Sequence, residues 1–323
     1  MELPFPGTKI PDGPAIRHIQ EQNRAMVKET PVLTCQTLNK LTGTELFFKC
    51  ENFQKAGAFK FRGASSAVWE LSQHQPGAAV CTHSSGNHAQ ALALAARLHN
   101  MKAHIVMPEN APQVKVDAVR DYGGVITFCE PTLQAREATL EKVQHETGAV
   151  FIHPYNDYRV IRGQATCFYE MLQQLNEEPD YIITPLGGGG LLSGTLLTAK
   201  YFTSATKVIG AEPIMANDAW QSFQQNKFIP SQNPVTIADG LKTSLGTLTY
   251  PLIMENAHDI ITASEVSIVQ AMKWVWERMK IVIEPSAAVP LAALMENPDR
   301  FVSKKVGIIF SGGNVDLKKL PWI

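Results

Sequence analysis

Four consecutive glycines, Gly187 to Gly190, stand between the apolar run Tyr181-Ile182-Ile183-Thr184-Pro185 and a helical stretch from Leu191. A short β-branched run, a loop without side chains and an apolar helix together indicate a parallel α/β sheet. The same order recurs upstream. Ala78-Ala79-Val80-Cys81-Thr82 reads as a buried strand, His83-Ser84-Ser85-Gly86-Asn87-His88 as its loop, and Ala89 to His99 as an Ala/Leu-rich helix. Ala103 to Pro108 and Gly124 to Phe128 read as strands, with helices near Val114 to Tyr122 and over Leu133 to Thr147. A second series follows Val150-Phe151-Ile152-His153-Pro154 and runs through Tyr181 to Pro185 and Lys207 to Glu212. It ends in Val306 to Phe310, which opens into Ser311-Gly312-Gly313-Asn314. The strand-like Thr44 to Cys50 is expected to join that second lobe.

In open α/β sheets, ligands bind beyond the carboxyl ends of strands. The loops after Thr82, Pro185 and Phe310 are therefore expected to converge on one cleft. Glycines let backbone N–H groups approach an anion, and the following helix start adds a favourable dipole, so Gly187 to Gly190 suit a phosphate. The plain alternative is a tight turn with positive φ. The loop is neither a P-loop nor a strict GxGxxG, yet Glu212 ends the next strand where a Rossmann protein holds a ribose. On this loop alone, a nicotinamide enzyme is a rival. Ser84 and Ser85, at a helix start, suit a carboxylate or serve as simple N-caps. His88 reads as a structural histidine rather than a base. The Ser311 hydroxyl suits a ring nitrogen or belongs to an ordinary turn. Glu212 and Asp218, six residues apart with a carbonyl between them, are oxygen groups of a kind that suits Mg²⁺ or Ca²⁺; spacing alone favours an acidic cluster at a helix start.

Lys60 lies in Glu51-Asn52-Phe53-Gln54-Lys55-Ala56-Gly57-Ala58-Phe59-Lys60-Phe61-Arg62-Gly63-Ala64. An amine between two aromatic residues suits a partly desolvated site. Desolvation lowers a lysine pKa and frees the amine to form a Schiff base.

Composition narrows the classes further. A formal net charge of -1 gives no electrostatic footprint for nucleic acid or a membrane surface. Five scattered cysteines without a CxxC pair suit a reducing cytoplasm better than a secreted setting. Met1 to Gly7 lacks a leader pattern, and no apolar stretch is long enough to span a bilayer.

In this order, Glu51 to Ala64, Thr82 to Gln90, Leu186 to Gly194, Ile237 to Lys242, Trp276 to Ala288 and Phe310 to Asp316 resemble the fold-type II pyridoxal-phosphate enzymes. The branch most resembled is that of serine racemases and serine/threonine dehydratases. The resemblance implies an α/β fold of two lobes with the cofactor cleft between them. It implies a large, discontinuous cofactor-binding domain of residues 1-68 and 150-323 and a small substrate-gating domain of residues 69-149. It makes Lys60 the cofactor lysine, Phe59 a neighbour of the ring and Asn87 the partner of the ring's 3′-oxygen. Gly187, Gly188, Gly189, Gly190 and Leu191 become the phosphate cup, and Ser311 the hydroxyl facing the pyridine nitrogen. Ser84, Ser85, Asn87 and Arg136 become substrate-binding residues. Glu212, Ala216 and Asp218 become a site for Mg²⁺, Ca²⁺ or Mn²⁺, which reverses the reading from spacing.

Ser85 stands where threonine dehydratases usually carry alanine. In serine racemases this serine is the acid/base on the cofactor face opposite the lysine. The implied activity is serine racemisation with serine/threonine dehydration. The alternative is a dehydratase without racemisation, acting on L-threonine or L-serine or on L-threo-3-hydroxyaspartate. A cytoplasmic homodimer acting on a small amino acid, without an appended regulatory domain, completes the expectation. Phe61 and Tyr155-Asn156-Asp157 depart from the usual pattern. A metabolite sensor that kept only the fold is the alternative from another class, and the presence of every expected chemical residue speaks against it.

Overall fold

Among the described residues, ten strands pair into two sheets, and within each sheet the parallel strands end on the same side. The computed structural model describes residues 9–322; the reading of Met1 to Gly7 lies outside them. The strands are β1 (Val32–Leu33), β2 (Glu45–Cys50), β3 (Val80–His83), β4 (Ala103–Pro108), β5 (Val125–Cys129) and β6 (Val150–Phe151). They continue as β7 (Tyr181–Pro185), β8 (Lys207–Pro213), β9 (Asp259–Ala263) and β10 (Lys305–Phe310). One sheet has the order β1-β2-β10-β7-β8-β9, and the other β5-β4-β3-β6. Only the β1–β2 pair is antiparallel; every other neighbouring pair is parallel. The fold is α/β, as the alternating pattern predicts.

Parallel strands covered on both faces become continuous apolar runs. In β10, Val306 to Phe310 are all fully buried, and Phe310 stacks on Phe48 of β2 at 4.7 Å between ring centroids. The helix Asn87–Leu98 buries nine residues from His88 to Ala96, most of them alanine or leucine, so it can lie close against its sheet.

Buried charges tie together the elements around the start of the Lys60 helix. Arg62, two residues after Lys60, forks onto Glu51 at 2.7 and 2.8 Å and reaches Glu170 at 2.6 Å. Lys49 meets Glu170 at 2.6 Å and the Thr30 carbonyl at 2.7 Å. Two cations face two carboxylates, so the cluster is neutral as a whole. Removing one partner of such a buried pair costs about 3–5 kcal/mol. The cluster joins β2, the helix Lys60–His74 and the helix Tyr158–Gln174, and so fixes where the Lys60 helix begins.

Candidate active site

Lys60 opens the helix Lys60–His74, with Phe59 at its N-cap. Its Nζ donates to the Pro154 carbonyl at 2.9 Å and lies 5.1 Å from the Phe59 ring centroid. Burial lowers the amine to about 8, and the nearby charge of Glu284 opposes that shift. The cation is poorly solvated and its hydrogen-bond partner is a carbonyl, so the neutral amine is accessible near neutrality.

Two loops meet the segment that carries this lysine. The Phe59 N–H donates to the Ser311 carbonyl at 2.9 Å, and the Gly313 N–H donates to the Gly57 carbonyl at 2.9 Å. Asn314 Nδ2 donates both to the Ala56 carbonyl at 2.8 Å and to Asn87 Oδ1 at 2.9 Å. The loops after β3 and β10 therefore converge on the Lys60 segment. Ser311 is buried, and its hydroxyl makes no hydrogen bond among the described residues.

The loop after β7 is packed rather than merely flexible. A Cβ on Gly188 would overlap the Tyr155 ring, and Gly189 sits at φ 89°, where an L side chain is strained. Gly190 starts the helix Gly190–Phe202. All four glycines are buried, and no hydrogen bond to a described residue engages their backbone N–H groups. Buried donors at a helix start, left without partners, fit a phosphate. Leu191 contributes its side chain to the core.

Ser84 and Ser85 do not cap the helix that follows. The N-cap is Gly86, without a side-chain cap bond, and Ser84 Oγ accepts only the Gly86 N–H, at 3.3 Å. Ser85 is half-buried and its hydroxyl is unengaged among the described residues. Both serines are thus available for a ligand at a helix N-terminus. His88 is structural: its Nε2 faces the Ile152 carbonyl at 3.1 Å, and burial holds it down to about 3, so the ring is neutral. Arg136 lies near His83, half-buried, with Nε unpartnered; no hydrogen bond joins it to the Ser84–Asn87 loop.

Glu212 is buried beside the start of the next helix. Its carboxylate accepts the Trp220 N–H at 2.7 Å and the Ala219 N–H at 3.3 Å at the start of the helix Asp218–Gln225. Asp218 is buried with both carboxylate oxygens unpartnered, and burial pushes it up to about 6. It lines a cavity of about 160 Å³ with Ala216 and Ser231. The unpartnered oxygens of Asp218, beside the buried Glu212 carboxylate, are hard donors of the kind that suits a divalent cation.

Several residues at the site escaped the sequence reading. Glu284 Oε1 accepts from Asn87 Nδ2 at 2.8 Å. His153 Nδ1 accepts from the N–H groups of Asn156 at 2.9 Å and Tyr155 at 3.3 Å, so the other ring nitrogen carries its proton. Burial lowers His153 to about 4. Lys115 bridges to Asp239 at 2.6 Å, linking the helix Gln113–Asp121 to the segment beside the glycine loop.

Comparison with known proteins points the same way. A family model described as pyridoxal-phosphate dependent enzyme matches residues 24–312. The chain is similar to the beta-hydroxyaspartate dehydratase of Paracoccus denitrificans, with 51% identity over 302 residues, covering 94% of this chain and 96% of the relative. It is 47% identical over 316 residues to the serine racemase of Dictyostelium discoideum, covering 95% and 97% of the two chains. The solved structure of maize serine racemase matches with a TM-score of 0.93 at 45% identity, over 96% of this chain and 95% of that one.

Proposed function

The chain belongs to the family of pyridoxal-phosphate dependent enzymes, and from that premise we propose that it racemises serine and also eliminates water from serine or threonine. The observation that carries this reading is the meeting of the Lys60, Asn87 and Ser311 loops around one desolvated amine. Bound pyridoxal phosphate supplies the electron sink that makes an amino acid's α-proton removable. Lys60 would hold the cofactor, Phe59 would flank its ring, Ser311 would face its nitrogen, and Asn87 its 3′-oxygen. The N–H groups of Gly187 to Gly190 and Leu191 would take its phosphate.

The Lys60 amine, whose neutral form burial brings within reach near neutral pH, takes the α-proton. Ser84, Ser85 and the helix start at Asn87 bind the substrate carboxylate. When the Ser85 hydroxyl returns a proton to the opposite face, the product is the D-amino acid. When the 3-hydroxyl leaves as water instead, hydrolysis gives a 2-oxo acid and ammonia. Residues 69-149 would act as the small gating domain against a large domain of 1-68 and 150-323. Glu212, the Ala216 carbonyl and Asp218 would hold Mg²⁺, or Ca²⁺ or Mn²⁺, as support for the fold. A homodimer rests on the family resemblance alone. A cytoplasmic setting is supported by five free, buried cysteines, and no helix among the described residues is long and apolar enough to cross a membrane.

Arg136 favours a second reading. Its partly buried guanidinium with an unpartnered Nε suits a second substrate carboxylate, as in L-threo-3-hydroxyaspartate. The test is a chiral product assay with Mg²⁺ and each of L-serine, L-threonine and L-threo-3-hydroxyaspartate. D-Serine formed together with pyruvate supports the proposal. Oxo acid without any D-enantiomer makes the protein a dehydratase, named by the substrate with the highest kcat/KM.

A further inference from the structure

Asn87 begins a helix that packs with the smaller sheet, yet its carboxamide is held by two residues from around the larger one. Glu284 is the N-cap of the helix Pro285–Glu296, and Asn314 follows β10. The hydrogen-bond directions can be assigned from chemistry. The Ala56 carbonyl can only accept, so Asn314 must turn its Nδ2 toward it, at 2.8 Å. That same nitrogen faces Asn87 at 2.9 Å, so Asn87 must present Oδ1 to it. Asn87 Nδ2 then faces Glu284 Oε1 at 2.8 Å. The oxygen of Asn87 is occupied, one of its two N–H bonds is occupied, and one N–H is left.

Glu284 itself has little freedom. Its carboxyl is buried, and its backbone N–H donates to the Gly312 carbonyl at 3.0 Å. A Cβ on Gly312 would come within 2.6 Å of Glu284 Oε1, so Gly312 is small where the carboxyl must lie. Asn314 is likewise wedged against Gly57, where a Cβ would overlap Asn314 Oδ1. Both clamp residues therefore have fixed positions before any ligand arrives.

We propose that Glu284 and Asn314 are positioning residues that clamp the Asn87 carboxamide, so that its one unused N–H is presented to an acceptor oxygen on the cofactor ring. The inference rests on the reading of this cleft as a pyridoxal-phosphate site. It makes the alignment of the two lobes a condition of cofactor binding, because Asn87 comes from one and its clamp from the other. Neither residue needs to touch the reacting atoms.

The test is a double-mutant cycle on the holoenzyme, dialysed to equilibrium against graded pyridoxal phosphate, with retained cofactor read from its visible absorption. Glu284→Ala should weaken retention about tenfold in the wild-type background and have no further effect beside Asn87→Ala. Asn314→Ala should behave in the same way, and it keeps the idea exposed if Glu284→Ala fails to fold. Glu284→Gln retains an oxygen acceptor at the same place and should stay within about threefold of wild type. Equal losses in both backgrounds, or Glu284→Gln as weak as Glu284→Ala, would overturn the clamp. Wild-type protein that retains no cofactor would instead overturn the reading of the cleft.

Discussion

The Lys60 amine donates to the Pro154 carbonyl at 2.9 Å, and no carboxylate among the described residues pairs with it. A carbonyl orients an ammonium without neutralising it, so burial can lower the pKa and the amine can serve as a base. Lys60→Ala is expected to cut both racemisation and elimination by at least about 10²–10⁴-fold. Circular dichroism should be unchanged, because the buried charges that set the helix start sit at Arg62 and Glu51. Substantial residual turnover would refute the role of Lys60.

Ser85 offers a half-buried hydroxyl that caps nothing. Ser85→Ala should suppress L-to-D racemisation by about 10²-fold or more while elimination from the L-substrate falls less than about tenfold. The two rates are read from one chiral chromatogram. Equal loss of both would make Ser85 a carboxylate anchor only.

Glu284 is pushed up to about 8, first by burial and next by Asp239, against the lowering effects of Asn87 and Lys115. Between the ordinary carboxyl range and pH 8, the folded protein holds a proton that the unfolded chain has lost. Stability contributed by this group is therefore full at low pH and declines as pH rises toward 8. Lys60 stays protonated in both states over most of that window and adds little slope. Thermal unfolding of cofactor-free Glu284→Gln should gain on wild type by a few degrees, on the order of 2–8 °C, between pH 5 and pH 8. A difference that shrinks with rising pH would contradict the assignment.

Asp218 keeps two buried, unpartnered carboxylate oxygens beside Glu212. A divalent cation there should stabilise the protein by about 2.7 kcal/mol at a hundredfold excess over Kd. Mg²⁺ should raise Tm, EDTA should reverse the rise, and Asp218→Asn should remove the response. An unchanged response in Asp218→Asn would place the cation elsewhere.

Much of the frame is legible in sequence. The strands Ala103–Pro108 and Tyr181–Pro185 and the helix Leu133–Thr147 fall at their expected bounds, since each is a clean apolar run or helical repeat between turn residues. β9 is missed because its apolar run is only Ile260-Ile261, set between Asp259 and Thr262. β1 and β6 are two residues each, too short to carry a period. Lys60 and the glycine loop are legible because their chemistry is local. The Glu284 contact is not: 197 residues separate it from Asn87, and Glu284-Pro285 reads as an ordinary helix start. Asp218 shows the same limit, since only its burial distinguishes a cation donor from an acidic cap.

Borohydride reduction of the holoenzyme followed by peptide mass mapping tests the central claim most directly. The account predicts that the visible colour is lost irreversibly and that the cofactor mass appears on the peptide containing Lys60, with no such label in Lys60→Ala. Colour that survives reduction, or a label on another lysine while Lys60 stays unmodified, would contradict it.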